Sequence, residues 1–255
     1  MSPPDAKRLV GRDALTRVRI VLNQPTHPGN IGAVARAMKT MCLEQLYLVA
    51  PRRFPAPEAI ALAAGAEDVL DRVHVCQTLE EAVHDCRLII GTSARSRRIG
   101  WPTLEPSAGA RQILAAAAEN SVALVFGQER TGLINKELDR CHAVIAIPAN
   151  QAYSSINLAG SVQIMAYELM RAGTEAMPSA DETLESARPA THGEMEHFYR
   201  HFEQVLVETG FLDPANPRFL MRRLRRLFNR AAPDQNEINI LRGILTSVQH
   251  KRGNS

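Results

Sequence analysis

The sequence predicts an α/β domain built on a mostly parallel sheet with helices on both faces, followed by a small helical extension. Three observations carry this. From residue 17 to about residue 172, short β-branched runs alternate with segments of helical period, the pattern of strands joined by crossover helices. The runs are almost continuously apolar, as strands covered on both faces are. After residue 193 the strand signals stop and three helical patterns follow.

The first strand is "RVRIVL" (17–22). "NQPTHPGN" after it is turn chemistry, and "NIGAVARAMKTM" then takes up a helical period. Asn30 is a candidate cap for that helix, with Gly29 and Gly32 as turn residues. Capping leaves Arg36 unexplained among Ala33, Val34, Ala35, Ala37 and Met38. "LYLVA" (46–50), "RLIIGTS" (87–93), "VALVFG" (122–127) and "AVIAIP" (143–148) read as further strands, with "TLEEAVHDC", "ARQILAAAAEN" and "NKELDRC" as helical pieces between them. Their carboxyl ends gather glycine and polar residues at Asn23, 91–93, 127–132 and 148–157, where sheets of this kind bind ligands. Ahead of a long helix from Leu158 stand Ser154, Ser155 and Asn157. One of them suffices as a cap; three exceed what capping requires. A nucleophilic serine would need a nearby base, and His27, His142 and His192 read as surface or loop residues.

Residues 173–193 are polar, acidic and without apolar period, a linker between a domain of residues 1–172 and an extension of residues 194–255. The extension reads as three helices. The first has Met195, Phe198, Phe202, Val205 and Leu206 at helical spacing, and the second has Leu220, Leu224 and Leu227 on one face. The third opens on Asp234 and Glu237 in capping-box positions, followed by Ile238, Leu241, Leu245 and Val248. The middle helix carries Arg218, Arg222, Arg223, Arg225, Arg226 and Arg230 and no acidic residue. Like charges so crowded call for an anion, and we expect a polyanion-binding surface in preference to a solvated face.

Composition narrows the function. The net charge of +3 does not by itself imply nucleic acid, and aromatics at 5% argue against a wide base-stacking platform. Four cysteines lie far apart with no CxxC pair, which argues against a zinc site or disulfide framework. No metal constellation is visible. The N-terminal stretch has no apolar core for a signal peptide, and no run approaches a membrane span, so a reduced cytoplasmic setting is expected. "VFGQERTGLIN" (125–135) places Gln128, Glu129 and Arg130 between Gly127 and Gly132 at a strand end. It is no Walker A loop, since no Gly-Lys-Ser/Thr follows, and no GxGxxG follows any strand.

Three stretches, "NQPTHPGNIGAVARA", "LVFGQERTGL" and "IPANQAYSSINLAGSV", resemble in order the three motifs of the SPOUT-class RNA ribose 2′-O-methyltransferases. The resemblance runs over roughly residues 17 to 170 and is nearest to the TrmJ-like branch, which this chain also resembles in "IALAAGAEDVL", "GTSARSRR" and the helical extension. That branch methylates tRNA at nucleotide 32 of the anticodon loop. The resemblance implies a deep trefoil knot, a rare exception to the rule against threaded chains. It implies an S-adenosyl-L-methionine pocket lined by Thr92, Ser93, Gly127, Glu129, Ile147, Pro148, Ser155, Asn157 and Leu158. It implies a homodimer whose partner completes the active site.

Arg36 corresponds to the family's catalytic arginine, and Asn30, Glu129, Ser155 and Asn157 complete the expected catalytic set. Arginine holds its proton tightly, so Arg36 reads as an electrostatic and positioning group on the RNA rather than a base. Arg222, Arg223, Arg225 and Arg226 are the expected tRNA grip. Two other readings compete: the same chemistry on ribosomal RNA, and a catalytically silent RNA-binding knot protein.

Overall fold

The computed structural model describes residues 13–93, 102–174 and 190–253. Most of the expected linker, the N-terminal dozen residues and the end of "GTSARSRR" lie outside the described residues. The chain divides into two compact units, residues 1–179 and 180–255.

In the first unit the central strand is β1 (Val18–Asn23), buried at all six positions. Its side chains alternate between two cores: Ile20 and Leu22 face one, Val21 the other. β2 (Gln45–Val49), β3 (His74–Cys76), β4 (Leu88–Thr92), β5 (Thr103–Leu104), β6 (Val122–Phe126) and β7 (Ala143–Ile145) complete a seven-stranded sheet among the described residues. The order is β3-β2-β1-β6-β4-β7-β5, and every strand pairing is parallel. The five strands expected from sequence are there. The two outer strands, β3 and β5, were not foreseen, because "HVC" and "TL" are short and lie in no continuous apolar run such as the one that marks the equally short β7.

Helices α1 (Pro28–Thr40), α2 (Pro57–Ala63), α3 (Glu67–Asp71), α5 (Pro106–Ala117) and α7 (Leu158–Thr174) cover one face, with Val34, Ala59, Val69, Ile113 and Val162 in its core. α4 (Leu79–Val83) and α6 (Asn135–Leu138) cover the other, with Ala82, Val83 and Leu138. The charges of "RVRIVL" are accommodated individually. Arg17 donates to the carbonyls of Ala117 and Ala118, and Arg19 forms two 2.6 Å hydrogen bonds to Asp85 while lying 4.7 Å from the Tyr47 ring centroid. Cys86 and Cys141 are buried thiols pushed up to about 12 by desolvation, so both remain protonated near neutrality.

α1 starts two residues earlier than Asn30, at Pro28, with His27 as its N-cap; proline at the first position suits a helix start. Gly32 is explained by contact rather than by a turn. A Cβ there would stand 2.0 Å from the Ala59 carbonyl oxygen and 2.9 Å from the Ala63 nitrogen, so α1 and α2 meet backbone to backbone.

The second unit holds α8 (His192–Glu208), α9 (Leu220–Ala231) and α10 (Gln235–Gly253). Its core joins Met195, Phe198, Tyr199 and Val205 to Ile238 and Leu245, with Phe202, Phe228 and Leu241 partly buried against them. Capping boxes open α8 and α10. The second, Asp234 with Glu237, was expected; Thr191 with Glu194 was not. The inward contact of α9 differs from expectation. Leu227 is exposed, and Phe228 packs edge-on against Phe198 at 4.9 Å instead. The helical segments also extend past the expected linker boundaries, to Thr174 on one side and back to His192 on the other.

Gly32→Ala should lower stability by about 1–3 kcal/mol, because backbone atoms of α2 must move to admit the methyl group. Urea unfolding followed by circular dichroism measures it; wild-type stability would mean that α1 and α2 are not in backbone contact.

Candidate active site

The carboxyl ends of β4, β6 and β7 converge with the first turn of α7 on a cavity of about 260 Å³. The three strands lie side by side although their order in the chain is interrupted by β5 and α5. Thr92 and Ser93 come from the end of β4, Ile145 and Ile147 from β7 and its extension, Ser155 from the approach to α7, and Leu158 and Ser161 from its first turn.

The loop after β6 forms the remaining wall. It folds back on itself: the Gly132 amide donates to the Gln128 carbonyl at 2.8 Å, and Gly132 has φ +63°. A Cβ on Gly127 would stand 2.1 Å from the Leu133 nitrogen, so only glycine lets the loop close this tightly. Leu133 is fully buried beneath it. Behind the loop the Asn23 amide donates to Glu137 at 2.6 Å, while the other Glu137 oxygen accepts from the Ile134 amide at 2.7 Å. The end of the central strand is thereby tied to the start of α6.

Glu129 lines the cavity, and its carboxylate reaches the loop before α1. Its carboxylate accepts from the Thr26 amide at 3.0 Å, the Thr26 hydroxyl at 2.9 Å, the His27 amide at 3.1 Å and the Asn30 side chain at 3.0 Å. Burial pushes the carboxyl pKa up. The hydrogen bonds from Asn30 and from the backbone of Glu129, Thr26 and His27 together outweigh burial and hold it below the usual 4.5. Asn157 closes the chain of contacts. Its side-chain oxygen caps α7 by accepting from the Ala159 and Gly160 amides at 2.9 and 3.3 Å, and its amide donates to Asn30 at 3.2 Å. The stretches around Asn30, Glu129 and Asn157 are thus one hydrogen-bonded unit.

Seven of the expected cofactor residues line the cavity: Thr92, Ser93, Gly127, Glu129, Ile147, Ser155 and Leu158. Pro148 and Asn157 do not; Asn157 is occupied by capping and by Asn30. Gln128, Arg130, Thr131 and Gly132 also line it, and their place in the same loop as Glu129 was the available signal. Ser161 was missed although it lies one helical turn after Leu158. Arg36 is exposed on α1 and is not among the lining residues; among the described residues no hydrogen bond or ion pair holds its guanidinium. Of the three histidines expected at the surface or in loops, His27 is exposed before α1 and His142 lies in a loop, but two of them are not at the surface. His192 is buried, and His142 is turned inward, accepting from the Ile89 amide at 3.0 Å, with burial lowering its pKa.

In the second unit the arginines of α9 divide. Arg225 is paired through both guanidinium nitrogens with Glu196 of α8 and lies 4.4 Å from the Tyr199 ring centroid. The acidic partner missing from α9 is supplied by the neighbouring helix, which corrects the expectation that this arginine faces outward. Arg223 is exposed. Among the described residues no group of three or more His, Cys, Asp or Glu side chains could hold a metal ion, and no helix is long and apolar enough to cross a membrane.

Residues 17–167 match the profile of the SpoU rRNA methylase family. The chain belongs to that family. Residues 193–255 of this SpoU-family protein match a second profile, the C-terminal domain of the tRNA methyltransferase TrmJ. A relative from Sodalis glossinidius, named tRNA (cytidine/uridine-2′-O-)-methyltransferase TrmJ, is 49% identical over 236 residues, covering 92% of each chain. The protein of that name from Escherichia coli is 49% identical over 242 residues, covering 94% of this chain and 98% of the relative. Among solved structures, TrmJ from Z. mobilis superposes with a TM-score of 0.79 at 33% identity, covering 91% of this chain and 98% of that one. The α/β fold with its C-terminal helices is the one expected from sequence.

Glu129→Gln should destabilise the first unit by about 1–3 kcal/mol at pH 7, since charge-assisted bonds to the Thr26 and His27 amides are weakened. A carboxyl with a lowered pKa stabilises the fold above about pH 4.5 and loses that contribution as pH falls through the folded-state value. The gap between wild type and variant should therefore narrow below pH 4.5, as measured by urea unfolding across pH; a gap independent of pH would refute the charged tie.

Proposed function

We propose that this protein is an S-adenosyl-L-methionine-dependent methyltransferase that modifies a ribose 2′-hydroxyl of tRNA, at nucleotide 32 of the anticodon loop. The observation that carries it is the Glu129–Asn30–Asn157 chain, which draws all three motif stretches to one cavity at the strand carboxyl ends. The tRNA (cytidine/uridine-2′-O-)-methyltransferases at 49% identity support the substrate, and the match of the second unit to the TrmJ C-terminal domain favours tRNA over ribosomal RNA. A tRNA substrate implies work in the cytoplasm. The strand order supports a knotted pocket: β6 inserts between β1 and β4 after β4 and β5 are already in line.

The cavity suits the cofactor. Gly127 lets the loop wall close against Gly132 and Leu133, Ile145, Ile147 and Leu158 offer apolar surface, and Thr92, Ser93, Ser155 and Ser161 offer hydroxyls. These residues would hold the cofactor, which when bound supplies an electrophilic methyl group on a sulfonium sulfur. The chain's own part is positioning. Glu129 fixes the loop before α1 and with it the helix that carries Arg36. Arg36 clamps the phosphate beside the target ribose and stabilises negative charge growing on the 2′-oxygen as its proton leaves. Arg222, Arg223 and Arg226 grip the RNA backbone, while Arg225 braces α9 against α8.

The working protein is a homodimer. α7 buries Leu158, Val162, Met165 and Leu169 yet leaves Ile164 and Tyr167 exposed, an apolar surface suited to a second copy.

Incubation with labelled cofactor and total tRNA, followed by mapping of the methylated nucleotide, tests the activity; absence of 2′-O-methylation refutes it. Arg36→Ala should reduce methyl incorporation at least about a hundredfold while calorimetric cofactor affinity stays within twofold, roughly the effect of removing one transition-state interaction. Retained turnover, or abolished cofactor binding, would show that Arg36 has another role. Ile164→Glu should shift the full chain from dimer to monomer in light scattering at micromolar concentration. An unchanged mass would move the interface elsewhere.

A further inference from the structure

The chain has seven phenylalanines, and among the described residues only Phe211 and Phe219 of these are exposed, at 72% and 54%. Both lie in the turn between α8 and α9, where they line one cleft of about 650 Å³ with Asp213, Pro217, Arg218 and Arg223. The turn is built to hold them outward. Gly210 reverses the chain at φ +75°, and Leu212 is then buried with its amide donating to the Leu206 carbonyl at 2.9 Å. Anchoring Leu212 turns its neighbour Phe211 to solvent. On the other side Arg218 adopts φ +47°, a left-handed conformation that few arginines occupy, before Phe219 enters α9.

Charge selects the occupant. Arg218 and Arg223 stand at the cleft, and the Arg222 guanidinium lies 5.7 Å from the Phe219 ring centroid. Asp213 is the single acid among the lining residues, and one of its oxygens is taken by the Ala215 amide at 2.9 Å. An apolar protein segment would cover the rings but leave Arg218 and Arg223 without counter-charge. An unpaired nucleotide satisfies both, since its base offers a flat face to a phenyl ring and its phosphate offers the anion.

We propose that this cleft binds one unpaired nucleotide of the RNA, its base stacked on Phe219 or Phe211 and its phosphate against Arg218 and Arg223. The proposal rests on the reading of the second unit as an RNA grip and names the part of the RNA it takes: a single-stranded loop rather than duplex. The arginines supply position and salt dependence, and the rings supply a preference for unstacked bases.

The test uses the full-length protein and equilibrium binding to tRNA, to a single-stranded oligoribonucleotide and to an RNA duplex, over a range of salt. Phe211→Leu with Phe219→Leu keeps apolar bulk and removes the flat rings. It should weaken tRNA and single-strand binding roughly tenfold, leave duplex binding unchanged, and leave the slope of log affinity against log salt unaltered. Phe211→Tyr with Phe219→Tyr should bind as wild type. Arg218→Gln with Arg223→Gln should weaken all three and flatten the slope by up to ~0.9 for each phosphate no longer neutralised. Wild-type affinity in the leucine variant, or equal losses in the leucine and tyrosine variants, would overturn the base site while the arginine variant still reported an RNA grip. If neither the leucine nor the arginine variant weakens tRNA binding, the grip itself is refuted.

Discussion

The carboxylate of Glu129 is the constraint on which the site depends. It sits in the loop after β6, yet its partners all lie in the segment between β1 and α1 or at the start of α1. A carboxylate accepting several N–H and O–H bonds is a strong local organiser, because the alternative is a partly desolvated charge with unmet acceptors. Through Asn30 the same network reaches Asn157 and the start of α7. The order in which these segments occur in the chain is therefore immaterial to the site; what matters is that the sheet delivers their backbone ends within hydrogen-bonding reach.

The sheet does so by repeating one crossover hand. From β1 to β2 to β3 the chain moves outward with α1, α2 and α3 on the first face. From β3 to β4 it returns with α4 on the second. The step from β5 to β6 with α5, and the step from β6 to β7 with α6, obey the same relation between direction and face. That rule brings β4, β6 and β7 together at the cavity. It works only because the covering elements approach closely, through Gly32 against α2 and Gly127 against the turn at Gly132 and Leu133.

The second unit shows how one residue type takes on different roles within one helix. Arg225 is held by Glu196 and lies near the Tyr199 ring, so its charge is spent on packing α9 to α8. Among the described residues Arg223 meets no such carboxylate, and it stays in solvent. Aromatics divide in the same way: Phe198 and Phe202 pack against the edge-on ring of Phe228 at the core, while Phe211 and Phe219 are held outward by a turn.

Much of this was legible in the amino-acid order. The five expected strands, four of the helices between them and the Asp234–Glu237 capping box follow from period and capping chemistry, which are local and so written in adjacent residues. The resemblance of three stretches to the family's motifs named nine pocket residues, and seven of them line the cavity. What the sequence could not decide is pairing between distant residues. Whether Glu129 faces a ligand or the loop at Thr26, whether Arg225 faces RNA or Glu196, and whether Gly32 serves a turn or a helix contact are set by what lies opposite in space. Those partners stand tens of residues away in the chain, on elements whose juxtaposition exists only once the sheet order is formed.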